Sequence, residues 1–209
     1  DDDTFEDLCG MLDEVSDEVW RGDDVLGWVY EYYNNSRLSE LRDKAHNQGL
    51  EPKDIPPANQ FYTPHWVVRL LTDNSLGKLY AESTGDVDQM LGQQHHLSAT
   101  ERVDRVPTID QSPDIASLCT YMTPAETTTE NIETTEFDHP SEISIIDPAC
   151  GSGHFLLYAY DVLERIWLDA DVDIPRKEIP EKILKDNIYG VDLDLRACQL
   201  ATFNLYLKA

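Results

Sequence analysis

Residues 143–156 read ISIIDPACGSGHFL, and their pattern decides the fold. Ile143, Ile145 and Ile146 make a short β-branched apolar run that ends in Asp147-Pro148. The chain then turns through Gly151-Ser152-Gly153 and opens a helix at His154-Phe155. A strand, a glycine turn and a helix start, in that order, form the corner of an open α/β sheet at which nucleotides bind. The glycines let a ligand approach the backbone, and a helix N-terminus offers unpaired N–H groups. A ligand built on a nucleoside is expected at this corner.

What the turn lacks narrows the ligand. A dinucleotide fold wants G-x-G-x-x-G with an acidic ribose ligand about 20 residues on. Here Leu156 occupies the third glycine position, and the next strand-end acid, Asp192, comes much later. NAD is therefore disfavoured. The run DPACGSG resembles motif I of the S-adenosylmethionine (AdoMet)-dependent methyltransferases, in the form carried by the amino-methylating DNA enzymes. An ordinary glycine-rich turn is the bland alternative, and an unbroken match along the whole run counts against it. The resemblance implies AdoMet as cofactor, contacted by Asp147, Pro148, Ala149, Cys150, Gly151, Gly153 and Phe155. It gives Asp147 an indirect role, through backbone groups of the turn or the cofactor amine. Cys150 reads as a small buried thiol rather than a nucleophile.

Two further segments match in the order the family requires. Residues 187–194, NIYGVDLD, are a short apolar strand ending in acids, followed by a helical run over 195–208. This resembles motif II, whose strand-end acid accepts both ribose hydroxyls of AdoMet; a carboxylate offers two oxygens to two adjacent donors. Asp192 takes that position, and Asp194 reads as a helix N-cap. Upstream, Gln60-Phe61-Tyr62-Thr63-Pro64 precedes the apolar run HWVVRLL. Thr63 is expected to cap this helix, Pro64 to start it and Gly77 to stop it. By itself this is a capped surface helix. Placed before motif I, it resembles motif X, which implies that Thr63 and Pro64 receive the methionine end of AdoMet.

The order X, I, II resembles the N6-adenine DNA methyltransferases that begin with motif X. Residues 25–34, VLGWVYEYYN, and 73–77, DNSLG, are similar to parts of the PglX-type methyltransferases of BREX phage defence. The expected function is site-specific adenine-N6 methylation of double-stranded DNA, in phage defence or restriction-modification. The resemblance implies that a flipped adenine attacks the sulfonium methyl in line, because N6 is inaccessible within a stacked duplex. The protein's share is orientation and polarisation of the amine.

The family's Asn/Asp-Pro-Pro-Tyr/Phe tetrapeptide, which holds the target amine, has no counterpart: the only Pro-Pro is Pro56-Pro57, followed by Ala58. The chain also begins at Asp1 rather than Met. It reads as the N-terminal portion of a longer enzyme, inactive by itself, with no catalytic residue assigned. In the family's sheet the motif I strand lies between the motif II strand and the tetrapeptide strand. Its outer edge, residues 143–146, is therefore expected to be open to self-association. Possible defence-system partners are implied by the resemblance alone.

Composition sets a habitat. Lys+Arg number 16 against 41 Asp+Glu, a formal charge of -25, which repels phosphates. The acids are scattered, apart from Asp1-Asp2-Asp3, so no acidic arm explains them. This resembles proteins of extreme halophiles, where the screening length is about 3 Å instead of about 8 Å. A DNA-mimic would also be acidic, but would leave motif I unexplained. Cys9, Cys119, Cys150 and Cys198 show no C-x-x-C spacing, and adjacent His95-His96 lack a third ligand, so no metal site is expected. No apolar run approaches a membrane span, and cytoplasm is the expected compartment.

The expected fold class is α/β, a partial Rossmann-like AdoMet-dependent methyltransferase sheet preceded by an N-terminal helical region. Residues 1–50 read as helices, with Phe5, Leu8, Leu12 and Val15 on one buried face. Val25, Leu26, Val29, Tyr32 and Tyr33 form a second, and Ser36 starts a third helix. Residues 51–59 read as a linker, and 60–209 as the AdoMet-binding half-domain with a polar insertion at about 81–140, part of it (123–139) a candidate disordered loop. Trp20 and Trp28 are expected in helix core rather than on a base-stacking surface. Two other functions stay open: an AdoMet enzyme acting on RNA or a protein amide, and a non-catalytic cofactor-sensing or assembly module.

Overall fold

The computed structural model describes residues 2–20, 25–59, 62–85, 114–123, 137–170 and 173–209. Gln60, Phe61, His95, His96 and most of the polar insertion lie outside them. The chain opens with helices α1 (Asp2–Asp13), α2 (Asp17–Trp20) and α3 (Val25–Asn47). A 3₁₀ turn (Pro52–Asp54) and α4 (Ile55–Ala58) lead to α5 (His65–Thr72). A π-helical turn (Asp73–Gly77) carries α5 directly into α6 (Lys78–Thr84). Next come α7 (Ile115–Leu118), strand β1 (Ile145–Asp147), α8 (His154–Asp169) and α9 (Ile179–Lys182). A second π turn (Ile183–Asn187), strand β2 (Ile188–Gly190) and α10 (Leu195–Lys208) complete the described order.

The architecture is α/β, with a two-stranded parallel sheet among the described residues. Ile145 pairs with Ile188, Ile146 with Tyr189 and Asp147 with Gly190. Parallel neighbours need a crossover, and α8 with α9 supplies it. The register brings the ends of both strands, and hence Asp147 and Asp192, to one edge of the sheet. β1 has no second neighbour among the described residues, and Ile146 is 63% exposed.

α8 organises the core. Leu156, Tyr160, Leu163, Ile166 and Trp167 recur at helical spacing and are buried with Ile183, Ile188 and Ala201. Asn187, at the end of the second π turn, is fully buried. It donates to the carbonyls of Pro140 (2.8 Å) and Ile143 (2.7 Å) and accepts from the Trp167 indole (2.9 Å). A second buried polar group fixes α5 to α8. Asp73 accepts from the Tyr158 hydroxyl (2.7 Å) and the Tyr121 N–H (2.8 Å), and the Arg69 guanidinium lies 5.1 Å from the Tyr158 ring centroid. Burial pushes the Asp73 carboxyl up to about 6, against the opposing pull of those donors and of Arg69.

Several local expectations are corrected. The strand begins at Ile145, because Ile143 closes a 3₁₀ turn by donating its N–H to Pro140 O at 3.2 Å. α5 begins at His65: Pro64 is the N-cap, its carbonyl accepting from Val67 (2.9 Å) and Val68 (3.2 Å), and Thr63 is not the cap. Gly77 stops nothing; it is buried in the π turn, where a Cβ would meet Cys119 Sγ at 2.7 Å. The stop is Gly85, in the left-handed region at φ 77°. α3 runs unbroken through Ser36.

The expected faces of the N-terminal helices are also wrong. Phe5 and Leu12 of α1 are exposed, as are Trp20 and Trp28. On α3, Val29, Tyr32 and Tyr33 face outward, while Gly27, Asn34 and Leu41 are buried and Tyr30, Glu31 and Leu38 half-buried. Both sets share the helical period, so periodicity alone could not choose between them. The inward face mixes Glu31 and Asn34 with Leu38 and Leu41, and much of it lines a cavity. Lys44 of α3 also pairs with Asp54 at 2.6 Å, which ties residues 51–59 back onto this helix.

Candidate cofactor-binding site

The turn after β1 is built from its own backbone. Asp147 Oδ1 accepts the Ala149 N–H (3.0 Å), an Asx-type closure that the Asp-Pro pair favours. Cys150 N donates to Val191 O (3.0 Å), and Val191 N to Asp147 O (2.9 Å), extending the ladder past the strands. Gly151 N donates to Asp192 Oδ2 (2.9 Å), while Asp192 Oδ1 accepts from Asp194 N (2.8 Å). Asp192 thus clamps the glycine turn to the loop after β2. Gly153 N donates to Cys150 O (2.8 Å). The N–H groups of Ala149, Cys150, Gly151 and Gly153 are therefore engaged within the protein. They shape the turn instead of presenting donors.

Gly151 (φ 52°) and Gly153 (φ 92°) both occupy the left-handed region. At Gly153 the requirement is doubled: a Cβ would lie 3.0 Å from Ala201 Cβ, where α10 crosses the start of α8. At Gly151 a Cβ would meet nothing within 4 Å. That side of the turn opens onto a cavity.

The cavity, about 450 Å³, lies between the turn and α3. Pro148, Ala149, Gly151, Ser152 and Asp192 form one wall, and Tyr30, Glu31, Asn34 and Leu38 the other. Tyr62 closes it from the segment before α5. Of the residues named from sequence, Pro148, Ala149, Gly151 and Asp192 line it; Asp147 and Gly153 hold the turn. Thr63, Pro64 and Phe155 are not among its lining residues, and Tyr62 takes the place expected of Thr63-Pro64. Cys150 faces the opposite way, into a second cavity with Leu156, Ile188 and Gly190. Burial pushes its thiol up to about 12, which leaves it protonated and unreactive.

α3 is fastened over the site by two hydrogen bonds invisible in the motifs. The Tyr30 hydroxyl donates to Asp194 Oδ2 (3.0 Å). The Trp28 indole donates to the Tyr62 hydroxyl. Tyr62 and His65 both pack on the His154 ring, with centroids 4.6 and 4.5 Å away. Asp194 also caps α10, accepting from Arg196 N at 3.0 Å. The Arg196 guanidinium holds its carboxyl far below the usual carboxylate range, with help from the Arg196 N–H and the Tyr30 hydroxyl. Sequence reasoning missed the α3 wall. Its traces were the resemblance of residues 25–34 to PglX-type sequences and the series Gly27, Glu31, Asn34, Leu38 and Leu41 at helical spacing.

Comparison with known proteins shows what the chain is similar to. Residues 126–209 match the family described as "MmeI, DNA-methyltransferase domain". The chain is 33% identical over 202 residues to the adenine-specific methyltransferase BrxX of Escherichia coli O9:H4 (strain HS), covering 97% of this chain and 15% of that protein. It is 28% identical over 218 residues to the adenine-specific methyltransferase PglX of Lacticaseibacillus casei (strain Zhang), covering 95% of this chain and 16% of that one. A putative type II restriction enzyme and methyltransferase of Methanocaldococcus jannaschii is 26% identical over 200 residues, 93% of this chain and 14% of its own length. The chain thus spans about 15% of the length of these relatives. The second and third of them, like the first, align through both the α3 region and the glycine turn. Over nearly its whole length the chain is thus similar to the adenine-specific methyltransferases BrxX and PglX.

Proposed function

We propose that this chain is the AdoMet-binding portion of a site-specific DNA adenine-N6 methyltransferase acting in phage defence or restriction-modification. The observation that carries the reading is the cavity in which the motif I turn and Asp192 meet. Its volume, about 450 Å³, falls in the range of small-molecule sites. Glu31 and Asp192 border it, which suits a ligand bearing sulfonium and ammonium charges. Bound there, AdoMet would supply an electrophilic methyl group. The chain's own residues bind and orient. Asp192 Oδ1 and Oδ2 each receive one backbone N–H and keep further acceptor positions for ribose hydroxyls. Pro148 and Ala149 give the ligand a wall without side-chain bulk, and Tyr62 and Leu193 shield it from water. The two parallel strands fit the start of a Rossmann-like sheet, with residues 60–209 as the AdoMet-binding half-domain and 1–50 as its helical cover.

The test is calorimetric titration of the chain with AdoMet and with S-adenosylhomocysteine, in dilute buffer and in molar potassium chloride. One saturable site for both, with no response to NAD, is expected. Absence of heat and of any thermal shift in both media removes the reading. Without an Asn/Asp-Pro-Pro-Tyr/Phe tetrapeptide, the chain alone should bind cofactor and transfer no methyl group to DNA.

The charge of -25 carries its own prediction. Like charges oppose the compact state, and raising the salt from dilute buffer to molar shrinks their range from about 10 Å or more to about 3 Å. Screening that restores about 2–3 kcal/mol lifts the thermal midpoint by about 5–10 °C in a domain of this size. A midpoint that is flat or falls across a potassium chloride series contradicts adaptation to brine.

A further inference from the structure

Asn34 is a buried polar group at the cavity that neither motifs X, I and II nor the proposed function uses. It sits in the middle of α3, far upstream of motif X, and is only 8% exposed. Its side chain borders the cavity opposite Gly151 and Asp192, and its Nδ2 has no hydrogen-bond partner. A buried amide donor without a partner is costly, so natural proteins rarely keep one without a use. An apolar residue here would cover the cavity equally well, and α3 shows apolar residues on its other side, with Tyr32 82% exposed. The helix points Glu31 and Asn34 inward among Gly27, Leu38 and Leu41.

We propose that Asn34 is a cofactor-binding residue: its Nδ2–H donates to an acceptor atom of the nucleoside–amino-acid ligand held by the glycine turn, so that α3 completes the AdoMet site from outside the three motifs. This rests on the AdoMet reading of the cavity. The helix is positioned for the task by Tyr30, whose hydroxyl bonds Asp194, and by Trp28, whose indole bonds Tyr62. Both anchors end on segments flanking the site, so the donor is fixed relative to Asp192 before the ligand arrives. Pre-positioning of this kind spares the cost of ordering a side chain on binding.

The test compares the unsubstituted chain with Asn34→Leu, which keeps the branched side-chain outline and removes the donor, and with Asn34→Ala. Tyr33→Ala, on the exposed face of α3, is the control. AdoMet and S-adenosylhomocysteine are the probes, read by calorimetry, with thermal melts of the ligand-free proteins alongside. Losing one well-placed hydrogen bond should weaken both ligands about tenfold in Asn34→Leu. The ligand-free midpoint of that variant should hold or rise, because an unsatisfied donor has been removed; Tyr33→Ala should bind normally. A purely structural Asn34 gives the reverse pattern, a lower ligand-free midpoint with unchanged affinity, and that overturns the proposal. Equal affinity in Asn34→Leu and the unsubstituted chain also overturns it and leaves the AdoMet reading standing. If the unsubstituted chain binds neither ligand, both fall together.

Discussion

Asp192→Ala is expected to lose AdoMet affinity by about a hundredfold or more. The side chain makes two backbone hydrogen bonds at once, to Gly151 N at 2.9 Å and Asp194 N at 2.8 Å. Bonds to an ionised carboxylate are worth about 1.5–3 kcal/mol each, so removing both frees the glycine turn from the loop after β2. The same residue borders the cavity, so on the proposed reading alanine removes a ligand contact and the scaffold that shapes the site together. Asp192→Asn separates these effects. Its amide oxygen can keep one of the two backbone bonds, and its NH₂ must face the other N–H, so affinity should fall less than in the alanine variant. Gly151→Val probes the ligand side alone. A Cβ there meets no protein atom within 4 Å, so its branches enter the cavity, though the left-handed backbone (φ 52°) adds strain of roughly 1–2 kcal/mol. Calorimetric titration of the three variants decides the matter; undiminished affinity in Asp192→Ala would remove Asp192 from the site.

The motif I turn was legible because its geometry is local. A β-branched run, Asp-Pro and two glycines specify strand, closure and helix start within a few residues, and α8 begins at His154 as the pattern predicts. α10 and the cap at Asp194 were legible for the same reason. The cavity was not, because half of it comes from α3, more than 100 residues earlier in the chain than Gly151. Hydrophobic periodicity assigns a helix's most apolar stripe to the interior, and on α3 that rule fails where the helix lines a cavity of mixed polarity. The rule failed on α1 for a different reason: a stripe such as Phe5 and Leu12 announces a surface without naming what covers it. Both π turns escaped notice as well. Nothing in the sequence near Gly77 reveals that Cys119 will press against it, since only the folded chain brings the two together.

Asn187→Leu should have the largest effect on stability of any single substitution outside the site. Sequence pattern places Asn187 at the head of a strand; the structure makes it a fully buried junction of three segments. Its Nδ2 satisfies two carbonyls, Pro140 O and Ile143 O, and its Oδ1 satisfies the Trp167 indole. Leucine has the same branched outline but is bulkier, so the cost combines three unpaired polar groups with some overpacking. Each buried group left without a partner costs about 1–3 kcal/mol, or roughly 3–6 kcal/mol for the three with partial relaxation. Against a typical total of about 5–15 kcal/mol, that brings the domain close to unfolding, with a midpoint lowered by about 10 °C or more. Adding Trp167→Phe removes one orphaned donor, so the double variant should lose less than the sum of the two single ones. Strict additivity would mean that the indole bond contributes nothing. The consequence reaches the site, because Ile188 follows Asn187 directly and β2 sets the position of Asp192. AdoMet affinity in Asn187→Leu should therefore fall even at temperatures where circular dichroism shows the chain still folded.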